Sequence, residues 1–163
     1  MRVITGSARG RRLKELEGME TRPTTDRVKE GLFNVLQFDI EGRKVLDLFA
    51  GTGQLGIEAL SQGAKGAVFV DAREEACALI RENLKRTRLS EQGSVVRCDY
   101  LDYLNRCREK FDIIFLDPPY AEVFLETALK RITEIDILHS GSIIVAERPL
   151  GMELSFSPAG YTR

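Results

Sequence analysis

Residues 111–120 read FDIIFLDPPY. An apolar run from Ile113 to Leu116 ends on a carboxylate, Asp117; Pro118, Pro119 and Tyr120 follow at once. Proline fixes its own φ and removes a backbone N–H. What the turn presents is therefore an acceptor surface: the Asp117 carboxylate and a backbone carbonyl, that of Pro118. Two acceptors suit an exocyclic amine with two N–H bonds to give, and they aim its nitrogen lone pair in one direction. A nucleobase amine is a poor nucleophile because that lone pair is delocalised into the ring. Acceptors on both N–H bonds favour a more pyramidal, electron-rich nitrogen. Tyr120 adds a flat face on which a base can stack. The plain structural alternative is a strand-ending turn, since Asp and Pro both favour turns.

A second constellation lies in VLDLFAGTGQLGIEAL, residues 45–60, where Gly51, Gly53 and Gly56 have GxGxxG spacing. Asp71 stands twenty residues beyond Gly51, at the end of the next strand. Such glycines let backbone approach a ligand, and the acid can accept both ribose hydroxyls. That much is also the fingerprint of a nicotinamide-dependent oxidoreductase, which stays open as an alternative. Asp47, however, sits on the strand itself, where it would repel a pyrophosphate. It suits a cofactor with a cationic ammonium and sulfonium. S-adenosylmethionine has both, with a ribose for Asp71 and an adenine amine for Asp99. Asp99 can equally be a cap for the helix that begins near Leu101.

The elements that must position these residues alternate. Strands are expected at Lys44–Leu48, Ala67–Val70, Ser94–Cys98, Phe111–Leu116 and Ser142–Ala146. Helices are expected at Gln54–Gln62, Glu74–Arg86, after Asp99 as far as Cys107, and at Glu122–Ile135. Short apolar strands alternating with helices predict an α/β fold, a mostly parallel sheet with helices on both faces. Four strands end on or near an acid (Asp47, Asp71, Asp99, Asp117), and ligands bind outside the carboxyl ends of such strands. Upstream, Pro23-Thr24-Thr25-Asp26 reads as a helix start, with Val28, Leu32, Val35 and Leu36 at helical spacing. Val3 to Leu16 reads as two short strands around the loop Gly6-Ser7-Ala8-Arg9-Gly10. Residues 1–20 are thus expected to be a small basic hairpin extension, and 21–163 the main part of a single domain.

A chain of 163 residues with a net charge of −1 points to no partner by its overall balance. The first 14 residues, in contrast, carry Arg2, Arg9, Arg11, Arg12 and Lys14 and no acid. They can contact RNA phosphates or be a solvated basic hairpin. No apolar run approaches the roughly 20 residues of a membrane span, and the N-terminus lacks the apolar segment of a signal peptide. Cys77, Cys98 and Cys107 have no CxxC spacing, so reduced thiols, a cytoplasmic location and no metal are expected. A monomer is the expected state. The sole histidine, His139, reads as a turn residue.

Asp47 with Gly51-Thr52-Gly53, Asp71, Asp99 and Asp117-Pro118-Pro119-Tyr120 resembles the class I S-adenosylmethionine-dependent amino-methyltransferases, whose fold is Rossmann-like. More narrowly, GSARGRRLK, TRPTTDRVKEGLFNVL and DLFAGTGQLGIEALSQGA resemble the RsmD family of bacterial 16S ribosomal RNA guanine-N2 methyltransferases. The resemblance implies that Asp47, Gly51 and Gly53 hold the methionine part of the cofactor, Asp71 the ribose and Asp99 the adenine amine. Phe49, Thr52, Ala72 and Tyr100 complete the cofactor set. Asp117 and Pro118 would orient a guanine amine, with Pro119 shaping the turn and Tyr120 stacking. Arg22 joins the basic residues as an RNA contact. An adenine-N6 methyltransferase and a catalytically silent RNA-binding protein remain alternatives. The family fold closes with an antiparallel strand pair. Fifteen residues follow Arg148, and Leu154–Phe156 with Ser157-Pro158-Ala159-Gly160 reads as a beginning without completion, so a chain lacking that pair is expected.

Overall fold

Alternation of short apolar strands with helices gives one five-stranded sheet in the computed structural model, which describes residues 1–16 and 25–147. In chain order the elements are α1 (Thr25–Leu36), β1 (Lys44–Asp47), α2 (Gln54–Ser61), β2 (Gly66–Asp71), α3 (Glu74–Thr87), β3 (Gly93–Arg97), α4 (Tyr100–Arg106), β4 (Ile113–Leu116), α5 (Ala121–Glu134) and β5 (Ile143–Ala146). All four strand pairings are parallel and the order is β3-β2-β1-β4-β5. The strands and helices expected from residue 44 onward are present, with ends shifted by one or two residues. Leu154–Phe156, read as the beginning of a strand pair that the chain does not complete, falls outside the described residues, as do Pro23 and Thr24.

Strand periodicity divides the core in two. Val45, Ala67, Phe69, Ile113 and Phe115 pack on one face with Phe33 of α1, Ile57 of α2 and Ile80 of α3. Leu46, Val68, Val70, Ile114 and Leu116 pack on the other with Leu104 of α4 and Leu125, Leu129 and Ile132 of α5. The α3 helix has Glu74 and Glu75 in its first turn and Lys85 and Arg86 in its last, the charge order that a helix dipole favours.

From β1 the chain winds outward through β2 to β3, then returns to the other side of β1 for β4 and β5. The winding direction therefore reverses between β1 and β4. In an open parallel sheet the crevice at such a switch point is where ligands bind. Register pairs Asp47 of β1 with Phe115 of β4, so the glycine loop and the Asp117 turn leave neighbouring strands at the same edge. No helix of the described residues is long and apolar enough to cross a membrane. Among those residues no cluster of His, Cys, Asp and Glu could hold a metal ion, and the three cysteines are free thiols.

Candidate active site

The loop after β1 is shaped by two left-handed glycines, Gly51 (φ 58°) and Gly53 (φ 83°), the latter capping α2. Side chains are strained there. A Cβ on Gly51 would meet nothing within 4 Å, so the loop opens onto free space at that residue. Gly56 is needed for a different reason: a Cβ there would lie 2.3 Å from the Phe69 ring.

Alternation turns Asp47 to the same face as Val45, into the core beneath this loop. Its side chain is 1% exposed. One oxygen, Oδ2, accepts the Gly56 N–H at 3.1 Å; the other, Oδ1, is buried without a hydrogen-bond partner. Burial pushes this carboxyl up to about 7; the Gly56 N–H pulls against the rise and the charge of Asp71 adds to it. A buried acceptor without a donor is costly. Asp47 is thus a carboxylate that a cation held beside Oδ1 would relieve.

Asp71 ends β2 and ties the loop to the sheet: its Oδ2 accepts the Gly51 N–H at 2.9 Å. Arg73, which the sequence reading passed over, occupies what remains. Its backbone N–H donates to Oδ1 at 3.0 Å, Nε to Oδ1 at 3.1 Å and Nη2 to Oδ2 at 3.3 Å. Ala72 lies exposed between them. Asp99 caps α4, its Oδ2 accepting from Leu101 N–H at 3.0 Å and Asp102 N–H at 3.4 Å. The capping role that the sequence left open is therefore filled by one oxygen, Oδ2.

On the other side of the switch point, Asp117 is half-buried, Pro118 buried, and Pro119 and Tyr120 exposed. Tyr120 precedes α5, with its ring 6.4 Å from that of Phe124. Phe124 in turn meets Tyr100 at 5.6 Å and Phe49 at 6.3 Å, and Phe49 meets Tyr100 at 5.0 Å between centroids. Residues following β1, β3 and β4 thus form one aromatic rim. Phe124 joins Tyr120 to the expected cofactor residues Phe49 and Tyr100. It lies four residues after Tyr120, one helical turn on, which is the signal that would have found it.

The basic N-terminal segment is a docked hairpin and part of the same core. Val3, Ala8 and Leu13 are buried with Ile57 and Leu60. Where two strands were expected, one antiparallel bridge, Arg2 to Arg12, forms. Turn bonds from Arg9 N–H to Gly6 C=O and from Arg11 N–H to Ala8 C=O use up the tip. Helix side chains fasten the segment to the domain. Glu58 of α2 accepts the Ile4 and Thr5 N–H groups at 2.8 and 3.1 Å. Ser61 Oγ accepts the Ala8 N–H at 2.9 Å and donates to the Thr5 carbonyl at 2.6 Å. Lys29 of α1, 2% exposed, lies 3.5 Å from the buried Glu58 and donates to the Arg2 carbonyl at 2.8 Å. Asn83 of α3 accepts the Lys14 N–H at 2.7 Å and donates to the carbonyls of Lys14 (3.0 Å) and Thr52 (2.9 Å), joining the hairpin to the glycine loop. Arg2, Arg9, Arg11, Arg12 and Lys14 all remain exposed. Arg22 lies outside the described residues. His139 occupies the turn before β5, as expected, and pairs with Asp112 at 2.5 Å.

Comparison with known proteins agrees with this fold. The family description "Conserved hypothetical protein 95" matches residues 1–162. YlbH of Bacillus subtilis, named as a candidate rRNA methyltransferase, is 45% identical over 94% of this chain and 85% of its own. Ribosomal RNA small subunit methyltransferase D of Haemophilus influenzae is 39% identical over 90% of this chain and 78% of its own. The solved structure of yhhF from Escherichia coli, described as a candidate methyltransferase, superposes with a TM-score of 0.88 at 31% identity, covering 98% of this chain and 86% of that one. With a Rossmann-like methyltransferase fold and relatives of this similarity along nearly its whole length, the chain belongs to the Conserved hypothetical protein 95 family, the RsmD family whose motifs its sequence carries.

Proposed function

We propose that this chain transfers a methyl group from S-adenosylmethionine to the exocyclic N2 amine of a guanine in 16S ribosomal RNA. The observation that carries the reading is the adjacency of β1 and β4. It sets a glycine loop over a buried carboxylate with one oxygen lacking a hydrogen-bond partner, beside a turn of acceptors ending in Tyr120. The names of the Haemophilus influenzae and Escherichia coli relatives, both small subunit rRNA methyltransferase D, support the choice of substrate.

When bound, the cofactor supplies an electrophilic methyl group on a sulfonium. Asp47 would hold its ammonium through Oδ1, Gly51, Thr52 and Gly53 would line its methionine, and Asp71 would take the ribose hydroxyls once Arg73 lets go. Asp99, with Phe49 and Tyr100 beside it, would meet the adenine. The remaining work belongs to the second turn. Asp117 and the Pro118 carbonyl accept the two N–H bonds of the guanine amine and orient its lone pair. Tyr120 stacks on the base, which must leave its own stack to arrive there. Alignment and acceptor placement contribute most to such a step. The proton that the amine sheds after attack has Asp117 as its nearest acceptor.

The test is incubation of the chain with labelled cofactor and small-subunit particles or RNA, with the modified nucleoside identified by mass spectrometry. N2-methylguanine is expected. Label on adenine, or on DNA alone, would overturn the reading, as would thermal stabilisation by NAD in place of S-adenosylhomocysteine.

A further inference from the structure

The α3 helix ends in a geometry that favours glycine, and the residue there is an arginine. Leu89 N–H donates to the Leu84 carbonyl at 2.9 Å, and Arg88 N–H to the Lys85 carbonyl at 3.1 Å. In this pairing the intervening residue is left-handed and usually glycine, with an apolar residue packed behind it. Leu89 is that apolar residue, buried beside Leu84. Arg88 has φ 59° and ψ 37° and is the only non-glycine residue with positive φ among those described. Its Cβ is a liability in that conformation. Packing gives no reason for the side chain, because it is exposed and has no hydrogen-bond or ion-pair partner among the described residues.

Arg88 follows just past the C-terminal end of α3, and Arg81 and Lys85 lie four residues apart on one face of that helix. Both are exposed and without an ion-pair partner among the described residues. The adjoining flank of α3 meets the hairpin: Arg11 Nη1 donates to the Arg86 carbonyl at 3.2 Å, and Lys14 and Arg86 share Glu82 at 3.4 and 3.5 Å. Glu82 offsets part of this charge, but Arg81, Lys85 and Arg88 are left over, and in a chain of net charge −1 they leave positive potential on this side.

We infer that Arg81, Lys85 and Arg88 form a docking surface for RNA phosphates that extends the hairpin's basic face across the outside of α3. The inference rests on the RNA-methylation reading above. Phosphate contacts carry affinity and its salt dependence, not sequence choice. The surface therefore holds a long RNA whose target base reaches the rim.

The experiment measures binding of the full chain to transcribed small-subunit RNA across a salt series, for wild type, Arg88→Gly and the triple variant Arg81→Gln/Lys85→Gln/Arg88→Gly. Arg88→Gly is expected to melt at or above the wild-type temperature while binding RNA less tightly. The triple variant is expected to bind roughly ten- to thirtyfold more weakly, with a log–log salt slope shallower by about 2. Its affinity for S-adenosylhomocysteine should not change. Wild-type affinity and slope in the triple variant would overturn the inference, and so would a lower melting temperature for Arg88→Gly, which would make the side chain structural. If the wild type methylates guanine but the triple variant keeps the full slope, the surface alone is refuted. If the slope falls as expected but no guanine is methylated, the activity is refuted and the surface stands.

Discussion

Asp47 makes the sharpest claim on experiment, because one side chain should couple stability, pH and cofactor affinity. Burial pushes its carboxyl up to about 7 in the folded protein; unfolded, it titrates near the ordinary aspartate value of about 4. Between those values the folded state holds a proton that the unfolded state has released. Stability contributed by this group is therefore complete below about pH 4 and falls as pH rises towards 7. Three pH units correspond to about 4 kcal/mol. Asp47→Asn removes the charge while keeping an oxygen for the Gly56 N–H, but leaves an amide unpaired at a cost of about 1–3 kcal/mol. Urea denaturation of the cofactor-free protein should show the variant more stable than wild type at pH 8, and the difference should shrink or reverse at pH 5.

Cofactor affinity should move the opposite way. Only the ionised carboxylate attracts an ammonium, and with a midpoint near 7 its ionised fraction rises about tenfold between pH 6 and pH 8. Calorimetric titration with S-adenosylhomocysteine should show about that gain for wild type. Asp47→Asn should bind weakly at both pH values. A wild-type affinity that is flat across this range, or an Asp47→Asn variant that binds as wild type does, would refute the assignment of the buried oxygen to a cation.

Three further outcomes test other parts of the site. Asp117→Asn exchanges an acceptor for a donor at the substrate amine; kcat should fall roughly 100- to 1000-fold, with the S-adenosylhomocysteine dissociation constant nearly unchanged by calorimetry. Arg73→Ala removes the guanidinium that competes for Asp71, so titration should show cofactor binding equal to or tighter than wild type, and clear weakening would give Arg73 a direct role in holding the cofactor. Lys29→Met strands the buried Glu58 carboxylate without its ion-pair partner; urea denaturation should show a loss of about 3–5 kcal/mol, and a loss below about 1 kcal/mol would count against the pair as the anchor of the hairpin.

Strand order explains why the place of the candidate site was legible from sequence. Apolar runs ending on acids announced parallel strands, and parallel strands all deliver their ends to one edge. Once Asp47, Asp71, Asp99 and Asp117 were seen at strand ends, the rim followed. The depth of each acid did not. Asp47 falls on the inward side of the pleat, and only coordinates show that its second oxygen meets nothing. Asp71 stands at the strand end expected of a ribose acceptor, yet Arg73 two residues later turns back on it, a contact that no periodicity announces.

The hairpin shows the same division from the other side. Its cations were plain in the sequence and left open a phosphate contact or a solvated hairpin. What fixes it is a polar stripe on an otherwise apolar helix: Gln54, Glu58 and Ser61 of α2 recur at helical spacing, and Glu58 and Ser61 are buried. Buried polar groups in a helix must find partners elsewhere, and here they find the hairpin backbone. A stripe of that kind predicts a docked backbone segment. Asn83 extends the logic to α3, binding Lys14 and Thr52 with one amide. The loop expected to hold the methionine and the segment expected to touch RNA are therefore set against the same side chain, so displacement of one must be felt by the other.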